Sequence, residues 1–439
     1  MIRRHRLVTG LIVVAAVCAG GGYAASAELG TGTPTKLGYL QQNPTTTTGT
    51  TQAITGPPPT VADPWLAYRS DVNPGPAIQF VSAKVGWRLN EPATSPGIDE
   101  NLSSGPNGST MASPGNSIAL SQDGGSTWST ILREPTGIWG FDVLSPTMGW
   151  AVGVTSLEET TDGGATWQQL AEPTGSHLVS VDFVSPTDGF GLTTVGKLVK
   201  TIDGGHLWTP SGLSTTGSSQ CFVSAQVGYV ADASGNVYST NDGGATWSEA
   251  RAPTGIVPTS EWPSLSCSGT VGWLSLAEVV PGRTGEYLVE ETSDSGSTWA
   301  LVASNDQSVP ALATLPTPVD KLGAATIAST GTGYLVGYPT TGWALSAASA
   351  GSSSPRSFHA HSLPTPASSA QSPPTAAGYI HVLGLSFFGT TGWLYFDDTA
   401  LGTSTSAATE RWEWGILKSS DGGNGWTLLA TSGPEPVSS

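Results

Sequence analysis

Short apolar runs alternate with Gly-, Ser- and Asp-rich turns along most of this 439-residue chain. Within each run β-branched and aromatic residues recur at every second position, the period of a half-buried strand. Between residues 140 and 170 the pattern predicts four strands, over 140–145, 150–154, 156–160 and 166–170. The same order of runs and turns returns along the chain, so the repeat itself is the next feature to define.

Two motifs carry it. The first is an Asp turn, SQDGGSTW at Ser121 to Trp128. It recurs around Asp162 and Trp167, Asp203 and Trp208, Asp242 and Trp247, Asp294 and Trp299, and Asp421 and Trp426. With Asp123 as the first, the aspartates step by 39, 41, 39, 52 and 127 residues. The second motif is a strand, a short turn, then Gly plus an aromatic, as in IQFVSAKVGW ending at Trp87. Copies end at Trp150, Phe190, Tyr229, Trp273, Tyr334 and Trp393. The long last step between Asp turns holds one such copy, at Tyr334, so a sixth unit is expected there with its Asp turn lost between Ala344 and Pro355. The expected fold is all-β: a seven-bladed β-propeller of four-stranded antiparallel blades spanning 65–439.

The Asp turn fits a tight connection between the third and fourth strands of a blade. Gly124 and Gly125 supply positive φ, and Asp123 accepts backbone N–H bonds across its own turn. Six such aspartates on separate blades cannot converge on one ion or substrate, and each turn offers too few oxygens for calcium. The pattern S/T-x-D-x-G-x-T-W resembles the Asp-box, or bacterial neuraminidase repeat. With its Gly–aromatic partner near a 40-residue period, the chain is similar to the seven-bladed photosystem II assembly and stability factor type. Sialidases, xyloglucanases and sortilin-type receptors are more distant likenesses. The resemblance covers residues 76–430 and implies the fold. Chlorophyll-protein assembly would rest on a basic patch, and this chain has almost no clustered Arg or Lys.

In a four-stranded meander the two repeated turns share one end of the blade. Length variation then belongs to the other end, where binding loops are expected. The long segments are 89–116, 277–286, 305–322, 346–377 and 397–409.

Charge narrows the partners. The formal net charge is −17, which disfavours nucleic acid and anionic lipid. The N-terminus has Arg3, Arg4 and Arg6, an apolar run from Leu7 to Ala19 and Ala25-Ser26-Ala27, the layout of a secretory signal peptide over 1–27. Cleavage would leave no membrane-inserted segment; Cys18 leaves a lipid anchor as the alternative. Residues 28–64 are Thr-, Pro- and Gly-rich and read as a linker. The expected location is extracellular, periplasmic or at the cell surface, with the protein a monomer.

Cys221 lies seven residues before Gly228, and Cys267 five before Gly272, which puts both on first strands of adjacent blades. A bridge between blades and two buried thiols are both open. Trp139 and Trp262 each precede a motif glycine by ten residues, at the start of a first strand. They either stack on a ligand at the channel mouth or fill the channel and blade interfaces. Trp412 and Trp414 share a strand face and read as core.

For catalysis the weak candidates are Glu261 and Asp398, which nothing in the sequence pairs. His359, His361 and His381 lack a carboxylate partner, so no metal and no cofactor is expected. The seven arginines after the export segment avoid the Phe/Tyr-Arg-Ile-Pro motif of sialidases. The functional expectation is a non-catalytic propeller binding a protein or glycan through its variable face. The alternative is an exo-acting glycoside hydrolase of the sialidase-like class.

Overall fold

A computed structural model describes residues 76–90, 115–249, 263–280, 283–304, 321–327, 332–338, 344–349, 359–362, 379–399 and 412–431. All fall in the compact unit 60–439. Residues 1–27 and 28–64, read from the sequence as a signal peptide and a linker, lie outside the described residues.

Every regular element described is a β-strand. A seven-stranded antiparallel sheet comes first: β1 (Ile78–Phe80), β2 (Gly86–Asn90), β3 (Gly115–Ser121), β4 (Ser129–Val143), β5 (Gly149–Gly153), β6 (Leu157–Thr160) and β7 (Gln168–Leu170). Five four-stranded sheets follow. The second has β8 (Leu178–Phe183), β9 (Gly189–Thr193), β10 (Leu198–Thr201) and β11 (Thr209–Pro210). The third has β12 (Ser219–Phe222), β13 (Gly228–Ala231), β14 (Val237–Thr240) and β15 (Ser248–Glu249). The fourth has β16 (Ser264–Ser268), β17 (Val271–Val280), β18 (Arg283–Thr292) and β19 (Ala300–Ser304). The fifth has β20 (Lys321–Ile327), β21 (Thr332–Tyr338), β22 (Ala344–Ser349) and β23 (His359–Ser362). The sixth has β24 (Tyr379–Phe388), β25 (Thr391–Thr399), β26 (Trp412–Ser419) and β27 (Thr427–Thr431).

Each sheet is a meander, pairing strands in the order of the chain. The 15-residue β4 serves twice: its first half pairs with β3 and its second with β5. It ends one four-strand unit and opens the next. First strands of successive units touch, β1 with β4, β4 with β8, and so on through β12, β16, β20 and β24. β24 in turn touches β1.

Aromatic side chains fill the seams between units. Trp150 stacks on Phe183 at 3.5 Å between centroids, Phe190 on Phe222 at 3.4 Å, and Tyr334 on Phe387 at 3.6 Å. Trp393 of the last sheet stacks on Phe80 of the first at 3.6 Å. Such pairs contribute about 0.5–1.5 kcal/mol each beyond the area they bury. The stacking explains the glycine of the second motif. A Cβ on Gly189 would lie 2.6 Å from the Phe183 ring, and one on Gly228 2.1 Å from Phe222. Only glycine lets the ring lie flat across the strand.

Between the third and fourth sheets the pattern changes. Cys267 stands five residues before its motif glycine, the place Phe387 holds in the last sheet. It is disulfide-bonded to Cys221, so β12 and β16 are joined covalently where four other seams use a ring stack.

All five segments expected as loops include strand residues, and three of them carry strands well into the expected loop. Residues 277–280 and 283–286 are paired strand, with Glu278 opposite Glu286 and Val280 opposite Arg283. The apolar alternation of β17 simply continues, and ladder pairing satisfies its backbone groups. Within 346–377, the end of β22 and all of β23 complete the fifth sheet, pairing Ser346 with Ala360. β25 likewise runs to Thr399, into the segment 397–409.

Candidate functional site

The Asp turns have one repeated geometry. In the first, the Ser121 hydroxyl donates to Asp123 Oδ1 at 2.9 Å and accepts from the Gly125 N–H at 2.7 Å. The Thr127 N–H donates to Oδ1 at 2.9 Å and its hydroxyl to Oδ2 at 2.6 Å. The carboxylate is thus consumed by its own turn. Bonding to Thr127 holds Asp123 down at about 2, and bonding to Thr246 does the same for Asp242. Asp162, Asp203, Asp294 and Asp421 are lowered for related reasons.

The two motif turns are tied together. The Gly124 N–H donates to Lys84 O at 2.8 Å, Gly163 to Thr147 O at 2.8 Å, and Gly204 to Thr187 O at 2.9 Å. Gly243 bonds Gln226 O, Ser295 bonds Thr270 O and Gly422 bonds Thr390 O in the same way. Both turns therefore stand at one end of every sheet that has them. The turns also reach the preceding unit: Trp150 Nε1 donates to Gly204 O at 3.1 Å and Trp393 Nε1 to Gly124 O at 2.9 Å. In the fourth sheet Trp273 faces a unit without an Asp turn, and its indole N–H donates instead to Glu291 of its own sheet at 2.6 Å.

Sequence reasoning missed a polar belt on the first strands. On five of the first strands, the residue six or seven places before the motif glycine accepts an N–H from the next unit. Gln79 Oε1 takes Val143 N at 3.0 Å, Asp142 Oδ2 takes Phe183 N at 2.6 Å, and Asp182 Oδ2 takes Phe222 N at 2.7 Å. Ser266 Oγ takes Ile327 N at 3.0 Å, and Ser386 Oγ takes Phe80 N at 2.9 Å. Cys221 occupies the same place and carries the disulfide. The belt was visible as the second residue of IQF, FDV and VDF. Burial raises Asp142 to about 6, and burial with the neighbouring Asp142 charge raises Asp182 to about 8. Two carboxylates in one low-dielectric strip cannot both ionise cheaply.

Arg88 was also missed. It is 5% exposed, lies 3.6 Å from the Trp414 ring centroid, and has the rings of Trp128 and Tyr395 at 5.1 and 5.6 Å. Its Nε and Nη1 make no hydrogen bond among the described residues. Ring quadrupoles hold the cation there, and desolvation lowers its pKa. Elsewhere this strand position is aliphatic or, at Gly191, glycine, so the sequence offered only an arginine after a motif tryptophan as a signal.

The other candidates scatter. Trp139 is 4% exposed and packs in a core with Trp150, Leu178 and Phe183, which leaves no ring face for a ligand. Of its two readings, the burial fits the one that fills an interface and goes against a stacking platform; a first-strand position faces a seam as readily as solvent. Trp262 and Glu261 lie outside the described residues. Asp398 sits in β25 opposite Ile380 and Glu413 by backbone register. No group of three metal-ligating side chains occurs among the described residues. An unforeseen carboxylate pair joins Glu134 of β4 and Glu158 of β6; burial, then the bond to Glu134, raises Glu158 to about 7.

No protein-family model matches the chain. Over 111 residues it is 33% identical to the photosystem II assembly lipoprotein Ycf48 of Synechococcus sp. (strain CC9902), covering 23% of this chain and 33% of that protein. The match thus spans a third of the relative's length. Among solved structures, YCF48 bound to a D1 peptide is similar with a TM-score of 0.47 at 14% identity, over 72% of this chain and 88% of that one. The GH74 enzyme of Niastella koreensis is similar with a TM-score of 0.49 at 12% identity, over 81% of this chain and 67% of that one. Over the matched stretch, the chain resembles a photosystem II assembly factor.

Proposed function

We propose that this chain is an exported, non-catalytic, seven-bladed β-propeller that binds a protein or glycan through the face opposite its Asp turns. The succession of first-strand contacts, with β24 returning to β1, supports a closed ring. Counting β4 twice yields seven four-strand units. The observation that carries the functional reading is the set of six bonds tying each Asp turn to its neighbouring motif turn. They commit that face to the fold, while chain length varies at the other. A relative named an assembly lipoprotein favours a protein ligand and an exported location. The N-terminal pattern over 1–27 favours the same location.

The test pairs a fluorogenic glycoside panel with a glycan array and a peptide array on the purified chain. A second protein has residues 92–113 replaced by a short Gly-Ser turn. No turnover, with binding by the first protein and its loss in the second, is the expected result. Turnover would overturn the non-catalytic reading. Full binding by the shortened protein would remove this insertion from the binding face.

A further inference from the structure

The third Asp turn departs from the other five at two positions. Its second residue is Ile202, where the others have Gln122, Thr161, Asn241, Ser293 and Ser420. Its seventh is Leu207, where four of the others have threonine. Ile202 is 75% exposed and Leu207 64%, the two most exposed large hydrophobics among the described residues. Leucine also forgoes a bond: in those four turns the threonine hydroxyl donates to its aspartate at 2.6–2.7 Å. The Leu207 N–H still donates to Asp203 Oδ1 at 2.9 Å, but the fold gains little burial and no hydrogen bond from the two side chains. Two exposed aliphatics within six residues of one tight turn offer a partner apolar area that the fold itself does not use.

Charge chooses the occupant. Ile202 and Leu207 flank Asp203, and the turns before and after present exposed Asp162 and Asp242. Hydrogen bonds lower all three in pKa, so they are anionic at neutral pH. With a net charge of −17, a second copy or an anionic bilayer would be repelled. We infer that the third Asp turn docks a cationic amphipathic segment of a partner protein. Its aliphatic side chains cover Ile202 and Leu207, and its Lys or Arg residues pair with the flanking carboxylates. This site lies on the Asp-turn face and does not depend on the loop-face reading.

The test uses the full exported chain and three fluorescent 14-residue peptides: one of Leu and Lys, one of Leu and Glu, one of Ser and Lys. The variant Ile202→Thr/Leu207→Thr restores the pattern of the other turns and gives Asp203 its missing donor, so it should fold at least as stably. The Leu/Lys peptide is expected to bind about tenfold or more tighter than either control. The double variant should lose that advantage while its unfolding midpoint stays level or rises. Equal binding by the variant, or by the Leu/Glu peptide, overturns the inference. Dimerisation that the variant abolishes would assign the patch to self-association and overturn it too.

Discussion

Replacing Trp393 by alanine tests how the last sheet meets the first. Its indole is fully buried, stacks on Phe80 at 3.6 Å and donates to Gly124 O at 2.9 Å. Truncating a buried tryptophan costs about 3–5 kcal/mol. Lys418 Nζ also donates to Gly124 O, at 3.0 Å, so the carbonyl is not orphaned and the cost should fall in the lower part of that range. Trp393→Phe keeps a ring over Phe80 but loses the hydrogen bond, about 1 kcal/mol, and part of the buried indole volume, so its cost should lie between that figure and the alanine value. Trp150→Ala is the matched control, since Trp150 makes the same stack and the same kind of bond at an interior seam. An opened interior seam stays tethered by the short peptide from β7 to β8. No peptide joins β27 to β1 directly, so reclosing there pays a far longer loop entropy. Urea unfolding should show similar global losses for both alanine variants. Hydrogen exchange should separate them: Trp393→Ala should deprotect residues 76–90 and 412–431 ahead of the rest. Equal exchange in both variants, or uniform deprotection in Trp393→Ala, would refute the closing-seam argument.

Three other outcomes are expected. Cys221→Ser should lose about 4 kcal/mol in guanidinium unfolding, from the loop closed by a 46-residue separation; wild type and variant should converge under reductant. Ser295 holds φ at 58° where the other Asp turns have glycine, so Ser295→Gly should stabilise by about 1 kcal/mol, read as a higher urea midpoint. Asp142 and Asp182 have folded pKa values above the ordinary carboxylate range, at about 6 and about 8. Their stabilisation is full below the ordinary value and is lost as pH rises through those two values. The Asp turns run the other way, losing stability as pH falls toward about 2. A melting series from pH 3 to 9 should thus decline on the alkaline side, and Asp142→Asn/Asp182→Asn should flatten that decline while keeping both acceptor oxygens.

The strands, the two motifs and the hidden sixth repeat were legible because each is written locally. A two-residue period, a positive-φ glycine pair and a carboxylate bonded within five residues need no distant partner. The same locality explains why Asp123 and its counterparts are structural, each being saturated by its own turn. Tertiary structure decided what depends on the neighbouring unit. Whether residues 277–286 were loop or ladder depended on β17 and β18 pairing to their ends. Trp139 turned inward because the seam beside it offered Leu178 and Phe183. Arg88 became a buried cation only because Trp414, over 300 residues away, came to lie across it. The acceptors Gln79, Asp142, Asp182, Ser266 and Ser386 look like scattered polar residues until successive first strands lie side by side. Local chemistry wrote the units; contacts between units, invisible to any short window, made the belt and the seam where the last sheet meets the first.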